Sequence, residues 1–591
     1  MPAQSALSAV TSLVVTCVVE INGGALKDGV GISSIKVQHD VNRISSAEIS
    51  LITLTGKAEE HGFVPGNTIT VSAGYSAGAA TNIFTGIIVK NTISIDSNTM
   101  YKWSVSCRHN AWAMAATKQN RNFDNVTDSD CINQIIQKNS GVKATVKAST
   151  IKHEKLVQSN ATDWDFILAR ADFLGYIVCP DGSTLTIAPP ALKEGEGAER
   201  IALGESIISF NAEINAESQP PTLTATARLG KETNSVTATE PSFGGKMVKI
   251  PSTFLKEPKK LVLDTPMAQD ELQTWADGRL LRMRLSAYKG QVNIVGNSGI
   301  KTGNWVELAG IGDDYSGLVI VSSVTHTISK GSWKTALKLG LDDSQAHEKA
   351  NFSSPSAGGQ LPAKNGLQRA TVTKLEKDPA NEYRIQIETQ PDTDEGNDKI
   401  WARVASNYAT ASAGSFIMPE LNDEVVIGFL ENDPRYPIVI GSLYSSTNAA
   451  PAEVKDTNFI KLFCSKNKLK LTFDDEKKII TVETPGNNKI VLNDDEKTIT
   501  LTDEHNNSIT MAEAGITLDS KKDINLNAQG NISLASTSGN ISLEATAGNV
   551  SVKGNNISES ANIEFKASGN ASAEVSSSGT MTIKGSIVLI N

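Results

Sequence analysis

Gly530-Asn531-Ile532-Ser533-Leu534-Ala535-Ser536-Thr537-Ser538 is followed without a break by Gly539-Asn540-Ile541-Ser542-Leu543-Glu544-Ala545-Thr546-Ala547 and Gly548-Asn549-Val550-Ser551-Val552-Lys553-Gly554-Asn555-Asn556. Each copy holds a Gly-Asn corner and then two aliphatic residues separated by a serine. Alternation over three residues marks a short strand with one apolar face, and Gly-Asn supplies the positive-φ backbone that a tight corner needs. The pattern reaches further back through Ile490/Leu492, Ile499/Leu501, Ile509/Met511, Ile516/Leu518 and Ile524/Leu526. From about Leu469 to Asn591 an apolar pair therefore returns every eight to ten residues, which predicts a β-solenoid. Neither a six-residue rung nor the Gly/Asp-rich nonapeptide of calcium-loaded rolls fits the spacing. A disordered Ser/Asn-rich tail is the plain alternative, but disorder has no need of phased apolar pairs.

Such a solenoid has a thin core. From residue 455 onward there is no Trp or Tyr, and Phe stands only at 459, 463, 473 and 565. Each rung can bury two or three small aliphatic side chains, among them Ile524, Leu526, Ile532, Leu534, Ile541, Leu543, Val550 and Val552. The open edges would be lines of unpaired N–H and C=O groups, which proteins close or cover. Three copies wound around one axis would pair every edge and pool three thin cores. The expectation is a C-terminal intertwined triple-stranded β-helix, with rungs about 4.8 Å apart.

Upstream, a chain of 591 residues is too long for a single core. Its formal net charge of −10 argues against nucleic acid as a partner, because phosphate binding needs a basic surface. The cysteines at 17, 107, 131, 179 and 464 show no CxxC pair and read as reduced thiols. Residues 6 to 21 are apolar but contain Glu20 and have no basic residue before Lys27, so they read as a strand rather than a signal peptide. Synthesis in the cytoplasm is the expectation that follows.

Strands are predicted over 13–21, 32–38, 47–52, 68–73, 84–90 and 101–107, with turn chemistry between them. Helices are predicted from Thr127 towards Gly141, from Thr162 to Gly175, where Thr-x-x-Asp suits a capped start, and over 268–288. Residues 230–260 read as an insertion or long loop, strands follow near 291–295, 305–308, 318–327 and 333–339, and 342–364 reads as a linker. Between Gly366 and Tyr444, five short strands at 370–375, 383–388, 400–405, 424–429 and 438–441 suit a small OB-fold barrel. The domains are thus a mainly β hub over 1–350, a linker over 351–364, a barrel over 365–450 and a needle over 455–591.

Three motifs of the barrel carry a family resemblance. They are Trp401-Ala402-Arg403-Val404; Met418-Pro419-Glu420-Leu421-Asn422-Asp423-Glu424-Val425; and Asp433-Pro434-Arg435-Tyr436-Pro437 running to Gly441-Ser442-Leu443-Tyr444. In order and spacing this segment resembles the barrel of VgrG-type spike proteins of contractile injection systems. Thr127-Asp128-Ser129-Asp130, Ala161-Thr162-Asp163-Trp164-Asp165-Phe166 and Glu271-Leu272-Gln273-Thr274-Trp275-Ala276 are similar to the hub half of the same family. The resemblance implies a homotrimer whose two hub barrels per chain offer pseudo-sixfold symmetry to a hexameric inner-tube protein. It also implies baseplate proteins as neighbours, a needle aimed at a target-cell membrane, and passage out of the cell in an injection particle on firing. The first half resembles chains of extracellular phage-tail-like particles at least as closely as those of type VI secretion.

Some familiar additions are not expected. Only about fifteen residues separate Tyr444 from Phe459, too few for the lysozyme domain that some phage spikes insert there, and the needle is followed by no expected effector domain. His505 is the last histidine, so a His-x-His tip metal is not expected. The run Ile587-Val588-Leu589-Ile590-Asn591 would leave an apolar threefold platform suited to a PAAR-type tip protein, with effectors as further cargo.

Catalytic motifs are missing from the sequence: no Gly-x-Ser-x-Gly, no His-Glu-x-x-His and no phosphate-binding loop. Cys107-Arg108-His109 brings a thiol near an imidazole in sequence only, and Asp392, Asp394, Glu395 and Asp398 read as a solvated loop before they read as a weak calcium site. No cofactor is expected. The main reading is a structural spike and not an enzyme, and the competing reading is an adhesin or tail-fibre protein with a solenoid stalk.

Overall fold

The computed structural model describes residues 14–75, 80–95, 100–139, 141–182, 184–190, 198–229, 232–243, 247, 255–349, 356–389 and 399–590. Residues 1–443 make one compact unit and 444–591 a second. The acidic loop at 392–398 and Asn591 lie outside the described residues.

The first unit is organised by alternation. In Ser46–Thr53 every second side chain is buried, with Ala47, Ile49 and Leu51 at 2% exposure or less, the pattern of a strand with one face on a core. Thr16–Ile21, Gly31–Asp40, Thr68–Gly74, Thr81–Ile95 and Tyr101–Arg108 join it in an antiparallel sheet. The six predicted strands all form, with ends that differ by a few residues.

The sheet does not stop there. Gly31–Asp40 pairs with the distant strand Gly317–Ser329, setting Ile35 opposite Ile328 and His39 opposite Val324. Ser332–Leu339, Tyr288–Val295 and Ile207–Ile214 continue it in that order, so thirteen strands run over two cores. One core gathers around Ile35, Ile49, Val71, Phe84 and Trp103, and the other around Val292, Val306, Val319 and Leu337.

Two capped helices stand beside the sheet. Thr127 Oγ1 accepts from Asp130 N at 3.2 Å to start Asp128–Gln137, and Thr162 Oγ1 accepts from Asp165 N at 3.0 Å to start Asp163–Phe173. Their apolar faces bury Ile132, Ile135, Ile136, Trp164 and Ile167 together. The third helix, Gln269–Ser286, begins where Glu271 Oε2 accepts from Ala268 N at 3.1 Å.

That helix is buried on more sides than its expected single stripe. Leu272, Ala276, Leu280 and Met283 pack against the sheet of Leu223–Leu229, Glu232–Thr237 and Lys259–Leu263, so the expected loop at 230–260 contains one strand and the start of a second. The reason is a buried cation that sequence pattern hides. Arg284 donates to Glu240 Oε1 at 2.6 Å and Oε2 at 2.9 Å, and also to Pro220 O and Gln219 Oε1, which anchors the insertion to the helix.

Candidate interaction surfaces

Seven five-residue strands open the C-terminal unit: Ile460–Cys464, Lys470–Asp474, Ile479–Glu483, Lys489–Asn493, Thr498–Thr502, Ser508–Ala512 and Gly515–Asp519. Each is antiparallel to the next. Polar corners with positive φ turn the chain, at Lys468 (65°), Lys478 (53°), Asn487 (64°), Lys497 (53°) and Asn506 (63°). These fall into two series, 468/487/506 and 478/497, each spaced by 19 residues. The structural repeat is thus a hairpin, and the spacing of the apolar pairs is half of it.

Register turns alternation into a surface. Val482, Ile490, Leu501, Ile509 and Leu518 stand opposite one another in successive strands, and so do Ile480, Leu492, Ile499, Met511 and Ile516. These two columns form one aliphatic face. The column between them, Thr472, Thr481, Val491, Thr500, Thr510 and Thr517, lies on the opposite face. In a single chain nothing covers the aliphatic face: Ile490, Leu492, Ile499 and Leu501 are between 37% and 42% exposed.

Beyond Asp519 the apolar pairs continue but the pairing stops. Among the described residues, no strand and no main-chain to main-chain hydrogen bond involves residues 520–590. Ile532 and Ile541 are each 55% exposed, and Ile524, Leu526, Leu534, Leu543, Val550 and Val552 are exposed to a similar degree. Ile587, Leu589 and Ile590 are almost bare, at 80%, 88% and 87%, and Val588 is less so. A contiguous apolar surface of this kind marks a place where protein meets protein.

The closed barrel presents a different surface. Gln368–Lys374, Ile385–Thr389, Lys399–Val404, Pro437–Ser442 and Glu424–Phe429 close on one another around Val372, Ile387, Ala402, Val425 and Ile427. Its motif residues mostly shape turns. Asp433 takes Arg435 Nε at 3.0 Å and Arg435 NH2 at 2.7 Å, bonds that hold its carboxyl below the usual range, while Gly441 sits opposite Val426. Pro419 is half-buried, and the N–H of the exposed Glu420 donates to Asp423 Oδ2 at 2.9 Å. Arg403, next to the half-buried Trp401 and the buried Ala402, lines a groove of about 600 Å³ with Tyr383, Tyr408, Phe416 and Ile417, all well exposed.

The titratable groups of the first unit are buried rather than poised. Burial pushes the Cys107, Cys131 and Cys179 thiols up to about 12 and Cys17 to about 11, which keeps them from acting as thiolates near neutral pH. Burial, with the His39 charge second, lowers His109 to about 4 and His326 to about 3. His153 lies between Asp128 Oδ2 at 2.9 Å and Glu271 Oε1 at 3.1 Å, and Arg170 holds the other Asp128 oxygen. This network ties three helices and a strand together. Among the described residues no cluster of His, Cys, Asp and Glu is arranged to hold a metal ion.

Against known proteins, the family described as the Alg8 N-terminal domain matches residues 11–330, more than half of the chain. The type VI secretion system/phage-baseplate injector OB domain matches 368–444, the closed barrel. The chain belongs to the family described as the Alg8 N-terminal domain, and its barrel is similar to that of VgrG-type spike proteins. It is 40% identical over 67 residues to the type VI secretion system spike protein VgrG5 of Pseudomonas aeruginosa, which is 11% of this chain and 8% of that one. VgrG3 of Vibrio cholerae is 41% identical over 56 residues, 10% of this chain and 6% of its own. The aligned stretches thus span a small part of those curated spikes. A prophage MuSo2 tail protein from Shewanella oneidensis is similar over 56% of this chain and 99% of its own, at 13% identity and a TM-score of 0.44. An Escherichia coli type VI secretion component similar to bacteriophage T4 tail proteins gp27 and gp5 covers 72% of this chain and 99% of its own, at 12% identity and a TM-score of 0.37.

In this chain the predicted needle positions share one property, exposure within a single chain, and none of them joins a buried core cluster. Trp164 is a core residue, as the plain reading of its helix expects. Sequence reasoning missed the aromatic groove of the barrel, because Tyr383 and Arg403 stand apart in sequence from the Ser/Ala-rich stretch that leads to Phe416 and Ile417, with no period to join them. It also missed the histidines at the seam of the sheet, because His39 and His326 are 287 residues apart.

Proposed function

We propose that this chain is the trimeric spike at the tip of a contractile injection system, joining a hexameric inner tube to a membrane-puncturing needle. The observation that carries the reading is the aliphatic face of the C-terminal unit, half-exposed over 480–518 and barer still towards Ile590. Three copies turned inward around an axis would cover one another's aliphatic columns and leave the threonine face to water. A rod bonded along its whole length has no loose strand edge to peel, so it can carry axial load.

The role is mechanical, and the chain is not assigned a catalytic step. The raised thiols and the structural use of His153 and Asp128 support this. Baseplate proteins would hold the hub, a PAAR-type tip protein would sit on Ile587 to Asn591, and effectors would travel with it. Nucleic acid is not a partner, in keeping with the net charge of −10. The chain would be made in the cytoplasm, assembled into its particle and expelled towards a target membrane.

Native mass measurement of the full chain, followed by co-purification with a hexameric tube protein, tests the proposal. A stable folded monomer, or a trimer that never associates with tube or baseplate, would sink it. Deleting Ile587 to Asn591 should abolish tip-protein binding and leave the trimer intact; unchanged tip binding would remove the docking role from these residues.

A further inference from the structure

We infer that the cavity framed by the large sheet, the helices Asp163–Phe173 and Gln269–Ser286 and residues 341–346 binds a small organic anion, one with a carboxylate or phosphate head and an apolar body. The inference stands whether or not the chain assembles.

The fold builds this cavity from segments that lie far apart in sequence. Its volume is about 580 Å³, within the range of sites that enclose a small molecule. Register places Ser323 opposite Asp40 on one neighbouring strand and opposite Lys338 on the other. Val321 and Ser323 face the consecutive residues Leu339 and Lys338, so the strand bulges at Ser322. A bulge can re-aim a side chain, and Ser323 lines the cavity. Asn42 fixes the next wall: its N–H donates to Val178 O at 2.8 Å, and its Oδ1 accepts from Val178 N at 2.8 Å. Asp172 fastens the far side, taking Arg282 Nη2 at 2.9 Å on one oxygen and Ala346 N at 3.2 Å on the other.

The unmet hydrogen-bonding capacity of the wall lies on the donor side. Arg282 is only 7% exposed and Ser323 2%, yet Arg282 Nε and Ser323 Oγ have no hydrogen-bond partner among the described residues. The buried Ser344 Oγ has none either, and all three residues line the cavity. Of these atoms one can only donate and two can donate or accept; none is solely an acceptor. The carboxylates of the wall are already served. Asp40 accepts from Gln38 Nε2 at 2.8 Å, Asp165 from Thr162 Oγ1 at 2.7 Å and Asp342 from Ser344 N at 3.3 Å.

Two exposed cations of the wall, Arg43 and Lys338, make no side-chain hydrogen bond or ion pair to a described residue. A ligand that brings acceptors and negative charge completes this set, as native proteins complete most of their buried polar groups. Trp164 and Leu341, 5% and 4% exposed, join Val41 and Leu168 as the apolar part of the wall, where the body of the ligand rests.

Isothermal titration of the full chain, purified without phosphate or carboxylate buffers, tests this with phenyl phosphate and with benzoate, which separate the two heads. Benzylamine and benzyl alcohol carry the same ring without negative charge. One site per chain should take at least one of the anions and neither of the controls. Arg43→Gln and Lys338→Gln should each weaken that binding about tenfold, because each removes a charge-assisted bond. Both positions are exposed, so the unbound melting temperature should match that of the parent chain. Ser323→Ala, which removes an unpartnered hydroxyl, should weaken binding without lowering that temperature. Failure of both anions to bind, equal binding of benzylamine or benzyl alcohol, or an anion affinity unchanged by all three substitutions would overturn the inference.

Discussion

Replacing Ile532 or Ile541 by Asp, against Ser533 or Ser542 by Asp, separates a solitary chain from an assembled one. All four side chains are exposed in the single chain, the two isoleucines by 55%. Were the chain solitary, each substitution would change stability by less than about 0.5 kcal/mol, the usual size at a surface. With the aliphatic face turned onto an axis the two pairs part company. Each Ile→Asp forfeits roughly 1 kcal/mol of remaining apolar burial per copy. It also places a carboxylate in a dry interior, at several kcal/mol per unpaired charge.

Symmetry multiplies that cost. Three copies bring three carboxylates together, so the loss is on the order of 10 kcal/mol per trimer. Spread over the unfolding of three C-terminal units, this lowers the melting temperature by roughly 10 °C, while the serine variants stay within about 2 °C. Thermal unfolding of the full chain with native mass in parallel reads both outcomes. Four variants with the same melting temperature and the same mass would refute the inward assignment.

Other expectations concern the first unit. His109 and His326 have folded-state values depressed to about 4 and about 3 from an ordinary 6.5, so the stability that their neutral forms secure is complete above pH 6.5 and lost as pH falls. Between pH 6.5 and 5 each should remove about 2 kcal/mol, before most carboxylates titrate; a melting temperature flat over that window would contradict it, and His326→Gln should flatten the profile. Gly278→Ala should cost about 1–3 kcal/mol by thermal unfolding, because the added Cβ would lie 2.8 Å from Gly175 N where two chain segments touch; an unchanged melting temperature would show that the contact can relax. Among the thiols, Cys107, Cys131 and Cys179 should resist alkylation at pH 8 in the native chain while the half-exposed Cys464 reacts, a ranking that labelling followed by peptide mass can reverse.

Legibility followed the range of the interactions. The six N-terminal strands, the two capped helices and the five barrel strands were readable because alternation, Thr-x-x-Asp starts and turn residues are local signals. The pairing of Gly31–Asp40 with Gly317–Ser329 was not, since register between strands nearly 290 residues apart leaves no trace in either one alone. Strands at 232–237 and 259–263 read as loop because Arg284 and Glu240, 44 residues apart, hold the polar insertion in place. In the needle the apolar pairs were visible as a period, but not the end of strand pairing within the chain at Asp519, because the apolar alternation is the same on both sides.

The range of the contacts decides where damage is felt. In the barrel, Val372, Ile387, Val425 and Ile427 have no exposed surface left in a single chain, so a substitution there is charged once to the chain that carries it. In the needle, the residues with the strongest apolar pattern are half to almost wholly exposed in a single chain, and in the proposed trimer other copies would cover them. A substitution there costs little in one chain and is then multiplied by the number of copies that meet at the site. Sensitivity to assembly should therefore rise from the barrel through the self-paired strands to the segment beyond Asp519, where the apolar side chains are exposed and, among the described residues, no main-chain to main-chain hydrogen bond forms.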